Sequence, residues 1–128
     1  MRRIAIVMLL CLAGCAPLQN LTADDIRKPE YLSETRTFPL TLDEVEHALY
    51  LHDEKCRLTS GIRRNPTNKS EGVISVVTPV IVAASVTVLV DLKQHGSTTE
   101  AKGYSVPPSS AHDIRTIFSA IENPTTCQ

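Results

Sequence analysis

Val73 to Leu92 is the stretch that most restricts what this chain can fold into. It holds about 18 consecutive residues without a charge, close to the ~20 apolar residues that carry a helix across a bilayer. Its composition points elsewhere. The run is rich in Val and Ile, Pro79 interrupts it, and its second half alternates with the period of a strand. Val86, Val88, Val90 and Leu92 fall on one face, and Thr87, Leu89, Asp91 and Lys93 on the other. The pattern predicts a strand over Gly72–Thr78, a second over Ser85–Gln94, a turn at His95-Gly96-Ser97, and a weaker third strand over Thr98–Pro107. Together they make a three-stranded antiparallel meander with one covered face. Pro79–Ala84 is too apolar for an ordinary solvent-exposed turn. Either the strands continue through it and it is buried, or it is a contact surface for a partner or a membrane.

Two amphipathic helices flank the meander. Thr41-Leu42-Asp43-Glu44 has the form of a capping box, with the Thr hydroxyl accepting from an early amide and the Glu reaching back. Leu42, Val45, Ala48, Leu49 and His52 follow at helical spacing, predicting a helix over about 42–55 that delivers Cys56 at its end. Its acids lie in the first turn and Lys55 and Arg57 near its end, as the helix dipole favours. Ser60–Glu71 reads as a loop. Ser109 or Ser110 opens the last helix, whose stripe is Ile114, Ile117, Phe118 and Ile121, and Pro124 closes it.

The N-terminus carries a different signal. Met1-Arg2-Arg3 is a positive opening, Ile4–Leu12 is free of charge and apolar, and the small residues Ala13 and Gly14 precede Cys15. Leu12-Ala13-Gly14-Cys15 resembles the lipobox of bacterial lipoproteins. The resemblance implies removal of residues 1–14 and acylation of Cys15 by a diacylglyceryl group, usually with a third amide-linked chain such as palmitate. Two or three chains hold a protein durably where one does not. Ala16, rather than aspartate, follows the cysteine, which implies the periplasmic face of the outer membrane. Arg57, Arg63, Arg64 and Lys69 precede Val73. An exported N-terminus would leave that basic cluster on the wrong side for a membrane-spanning Val73–Leu92.

Removing residues 1–14 from the 128 leaves 114, enough for one small domain and a tether. Arg2 and Arg3 leave with the leader, so 11 Lys+Arg face 14 Asp+Glu, a net charge of −3 with no basic face for nucleic acid. Cys11 is discarded and Cys15 is acylated, which isolates Cys56 and Cys127. In an exported chain that pair is expected to form a disulfide. The expected organisation is a leader over 1–14, a lipidated flexible tether over 15–38 and a folded domain over 39–128. The expected fold is a two-layer α+β sandwich of order α-β-β-β-α, with both helices on one sheet face and the disulfide joining their C-terminal ends.

Signatures of catalysis are missing from the sequence. It contains no GxSxG elbow, no Ser-x-x-Lys and no Gly-rich phosphate loop. His47 and His52 are five apart, outside the spacing that places two ligands on one helix face. The acid pairs Asp43–Glu44 and Asp53–Glu54 suit a helix surface, and the glycosylation sequons at Asn20 and Asn68 are chance matches in a bacterial chain. The expectation is therefore neither an enzyme nor a metal or cofactor protein. Arg57, Arg63, Arg64 and Lys69 form a basic loop, either solvated or facing anionic headgroups or an acidic partner. In size and class the domain is similar to lipoprotein accessory subunits of envelope assembly machines. The expected role is a non-catalytic binding or assembly module for another envelope protein. The alternative is binding of a small apolar ligand or lipid on the apolar sheet face.

Overall fold

Alternation in Val86–Leu92 produces a strand with one face under helices. The computed structural model describes residues 21–57, 61–80 and 83–128. Among these residues is one antiparallel sheet of five strands: β1 (Leu32–Phe38), β2 (Arg63–Arg64), β3 (Glu71–Val80), β4 (Ala83–His95) and β5 (Thr98–Ser105). Their order is β1-β5-β4-β3-β2. The helices are α1 (Ala23–Ile26), α2 (Leu42–Cys56) and α3 (Ala111–Glu122). No helix among the described residues is long and apolar enough to cross a membrane.

The class is α+β, and the three strands of the meander appear as β3, β4 and β5. The sheet itself has five strands, which corrects the expected three, and three helices replace the expected two. The missing strand lay in the segment assigned to a tether over 15–38. From Leu32 to Phe38 that segment pairs with β5, from Leu32↔Tyr104 to Phe38↔Thr99. It escapes pattern reading because an edge strand held mainly by backbone bonds needs little apolar surface, and only Phe38 of its residues is buried. β2 is two residues long, too short to leave a pattern.

α2 and α3 cover one sheet face. Leu42, Val45, Leu49, Ile114, Ile117, Phe118 and Ile121 pack with Phe38, Ile74, Val88, Val90, Leu92 and Ala101 in one buried cluster. At roughly 1.5–3 kcal/mol for each fully buried large aliphatic or aromatic side chain, this cluster is the main favourable contribution to the fold. The cap of α2 forms as the sequence predicts. Thr41 Oγ1 accepts from Glu44 N–H at 3.3 Å, and the Glu44 carboxylate accepts from Thr41 N–H at 2.7 Å. Leu40, just before the cap, packs on the core, in the position of a hydrophobic staple. α3 is seated by Phe118, whose ring meets Phe38 edge-on at 5.6 Å and lies 5.1 Å from the Arg36 guanidinium. Gly103 permits the closest approach: a Cβ there would lie 2.5 Å from Ile114 Cγ2.

Cys56 and Cys127 are joined, with Cα atoms 5.4 Å apart across 71 residues of sequence. The bridge ties the end of α2 to the tail after α3. His52 of α2, also buried, reaches the same tail, its Nδ1 lying 3.2 Å from the Pro124 carbonyl.

Among the described residues, the opposite sheet face is covered in part by the N-terminal segment. Thr22 caps α1 with a second capping box, completed by Asp25. Ile26 is fully buried, as is Leu89, which alternation puts on this face of β4. Arg27 grips Asp91 with two bonds, Nε to Oδ2 and Nη2 to Oδ1, each 2.9 Å.

The β3–β4 hairpin is longer than its neighbours. Its ladder runs from Glu71↔Lys93 to Val80↔Ala83, with an irregularity at Val76/Val77. The β4–β5 ladder ends at Val88↔Ser105. Backbone pairing therefore continues through Pro79↔Ala84. Ile81 and Val82, from the apolar segment singled out in the sequence, lie outside the described residues.

Candidate functional site

The four basic residues of the candidate loop reach different surroundings. Arg57 is the C-cap of α2 in the left-handed conformation, with φ of 56°, and its N–H donates to Asp53 O. Arg63 is exposed on β2 opposite Val73, and Lys69 is exposed in the following loop. Arg64 turns back to α2. Its guanidinium bonds Glu46 Oε2 at 2.9 Å, Asp43, and the Lys69 carbonyl at 3.0 Å. Burial disfavours its charge, but the Glu46 and Asp43 carboxylates more than offset this and raise its pKa above the ordinary arginine value. Folding thus partners one of the four cations with acids that lie about twenty residues away in sequence.

Beside this loop the outer sheet face forms a shallow groove of about 560 Å³, lined by Arg63, Arg64, Glu71, Asp91, Lys93 and Lys102 among others. Its charges are interleaved. Lys93 faces Glu71 at 3.9 Å, Lys102 faces Glu100 at 3.4 Å, and Asp91 is held by Arg27. Exposed pairs of this kind contribute ~0–1 kcal/mol each, and they leave no concentrated charge of one sign for an ionic ligand.

A second groove, of about 660 Å³, opens between β1, α2 and α3. Phe38, Leu40, Ala48, Leu51, Ile121 and Pro124 provide its apolar lining, and Asp43, Glu44, His47 and Glu122 stand at its edge. Glu44 is engaged in the α2 cap, with its pKa lowered by the Thr41 backbone and hydroxyl bonds, and Glu122 accepts from Arg36 at 3.0 Å. Sequence reading missed this groove. Phe38-Pro39-Leu40 before the capping box was the available signal, but its counterpart, Ile121 and Pro124, is some eighty residues away.

The histidines remain separate. His47 lines the apolar groove, His52 is buried against Pro124, and His95 and His112 are exposed. Among the described residues no group of three or more His, Cys, Asp or Glu side chains is arranged to hold a metal ion. Every described buried side-chain N or O atom has a hydrogen-bond partner. Cys15 and the Leu12–Cys15 arrangement lie outside the described residues. No protein-family model matches this chain, and no curated protein is significantly similar to it.

Proposed function

We propose that this chain is a lipid-anchored bacterial lipoprotein of the cell envelope, facing the periplasm from the outer membrane. Its domain acts by binding another envelope protein rather than by catalysis. The observation that carries the binding role is the apolar groove between α2 and α3. Half-buried Leu40 and Leu51 present apolar surface in a recess of about 660 Å³ that is floored by buried Phe38. Leu12-Ala13-Gly14-Cys15 supports the anchor, and the Cys56–Cys127 bridge suits an oxidising compartment.

Two measurements test this reading. Palmitate incorporation in cells is expected to be lost in Cys15→Ala; continued labelling sinks the anchor. A photo-crosslinking residue at His47, inside the groove, is expected to trap one envelope protein, whereas the same residue at Tyr50, exposed on α2 outside it, traps none. Equal yields from both positions remove the groove as the contact. A small apolar ligand is the second reading, because the volume also falls within the range of ligand pockets, ~300–1,000 Å³. A stoichiometric apolar compound extracted from the purified protein would favour it.

A further inference from the structure

The N-terminal segment joins the domain near the free end of the β3–β4 hairpin. Leu21 N–H donates to Ser85 Oγ at 3.1 Å, and the Leu21 carbonyl accepts from Val86 N–H at 3.2 Å. From there the chain follows β4 away from the hairpin end, burying Ile26 and placing Arg27 on Asp91. The direction from Leu21 to Arg27 is thus the direction from Val86 to Asp91, and the entry point faces the hairpin's free end. Six residue steps separate Cys15 from Leu21, a reach of at most ~20 Å.

Among the described residues, no further strand flanks that end of the hairpin. β2 pairs with β3 only at Gly72 and Val73, and the β4–β5 ladder stops at Val88. The arms Val77–Val80 and Ala83–Val86 form a two-stranded ribbon of four rungs, about 13 Å long at ~3.3 Å per residue, met by Leu21 at Ser85 and Val86. Such ribbons are marginal in water, and an uncharged edge invites association. Neither arm contains an ionisable residue, and Val77 is 50% exposed.

We propose that these two arms dock on the bilayer that holds the lipid anchor, at the boundary between headgroups and acyl chains. The inference rests on the anchor reading, which brings the membrane within reach of Leu21. The depth follows from the backbone. The outer edges of a two-stranded ribbon carry groups that hydrocarbon cannot satisfy, whereas the interface offers water and headgroup partners. Amphipathic elements settle there at depths of ~5–10 Å, compatible with the length of the ribbon. Docking adds a second contact beside the lipid and so fixes the domain's orientation. Phe38 pairs with Thr99 at the opposite end of the sheet, near the Gly96 turn. The α2–α3 groove is then held away from the membrane, toward partners in the periplasm.

The chain contains no tryptophan, so a single introduced indole reports cleanly. Full-length acylated Val77→Trp, reconstituted in phosphatidylethanolamine–phosphatidylglycerol vesicles, is expected to lose most of its fluorescence to lipids brominated near the headgroup. It should also be shielded from aqueous iodide. Tyr50→Trp, on the helix layer, should show the reverse. An indole at 77 that iodide quenches as readily as the one at 50 overturns the docking. Shielding from iodide without quenching by brominated lipid, together with a crosslinked dimer, overturns it in favour of a second copy of the chain. The mass of the N-terminal peptide separates the two readings. A missing acyl group at Cys15 overturns the anchor and this inference with it, whereas an acylated protein with a water-exposed indole overturns the docking alone.

Discussion

The two halves of the β3–β4 hairpin are both rich in β-branched residues and opposite in circumstance. The inner half, Gly72–Val76 with Val88–Leu92, lies between β2 and β5 and under α2 and α3; Ile74, Val88, Val90 and Leu92 are at most 2% exposed. The outer half, Val77–Val80 with Ala83–Val86, also carries valines but has no flanking β2 or β5 strand, and Val77 is half exposed. An apolar, β-branched sequence specifies the strand in both. What lies beside the strand decides whether those side chains contribute to stability. In the inner half Ile74, Val88, Val90 and Leu92 each gain ~1.5–3 kcal/mol from burial, while half-exposed Val77 gains less in water and keeps apolar surface for another contact.

The largest expected effect sets one half against the other. Val90→Asp puts an unpaired carboxylate in the core and should cost upwards of ~4 kcal/mol, enough to abolish cooperative unfolding. Val77→Asp, at the half-exposed position, should cost less than ~0.5 kcal/mol in aqueous solution. Urea titration followed by circular dichroism measures both. A comparable loss at Val77 would mean that the outer half is packed in solution, and the contrast would fail.

Next in size is the bridge. Cys56→Ser with Cys127→Ser removes a cross-link spanning 71 residues, worth about 4 kcal/mol in the chain-entropy model. The urea midpoint should fall and the slope should rise, because the unfolded chain without the cross-link is less compact and exposes more surface. Amide exchange should accelerate in the inner half, whose protection depends on global unfolding, and stay as it was in the outer half. Unaltered exchange at Val88 and Val90 would show that the helix layer stays seated without the bridge.

Much of the inner half was legible in the sequence, for physical reasons that differ by element. α2 was visible because its cap and its buried stripe, Thr41 to His52, are local. β4 was visible because a half-buried strand must alternate. The bridge was expected from counting cysteines, once the lipobox resemblance set Cys11 and Cys15 aside. β1 stayed hidden because Ser33, Thr35 and Thr37 face solvent and Arg36 finds its acids in Glu34 and Glu122, so its bonds to β5 leave no apolar period. α1 is four residues long, and its capping box from Thr22 to Asp25 was the one signal present. The basic loop looked like a patch because like charges were close in sequence. The carboxylates that engage Arg64 are brought there by α2, and spacing within the loop does not reveal them. The apolar groove is a tertiary product throughout, since Phe38 and Ile121 meet only when β1 pairs beneath α3.

The smallest effect probes the border between the halves. α1 runs along the outer face of β4 from Val86 to Asp91, and the Arg27–Asp91 pair clamps its end, with the pair about one-third exposed. The Asp91 hydrogen bonds outweigh burial and raise the Arg27 pKa, so the guanidinium keeps its charge. Arg27→Met keeps most of the apolar stem and removes the clamp, which for a partly exposed bidentate pair should cost no more than ~1 kcal/mol. That is a few degrees of melting temperature for a domain of this size, at ~4–8 °C per kcal/mol. The informative readout is local. Val86 N–H, which donates to Leu21 O, should exchange faster, while the Val88 and Val90 amides, deeper in the sheet, keep their protection. The border would then move inward along β4, lengthening the two-stranded ribbon. Equal loss of protection at Val86 and Val90 would instead mean that α1 supports the whole sheet, and the two halves would no longer be separable.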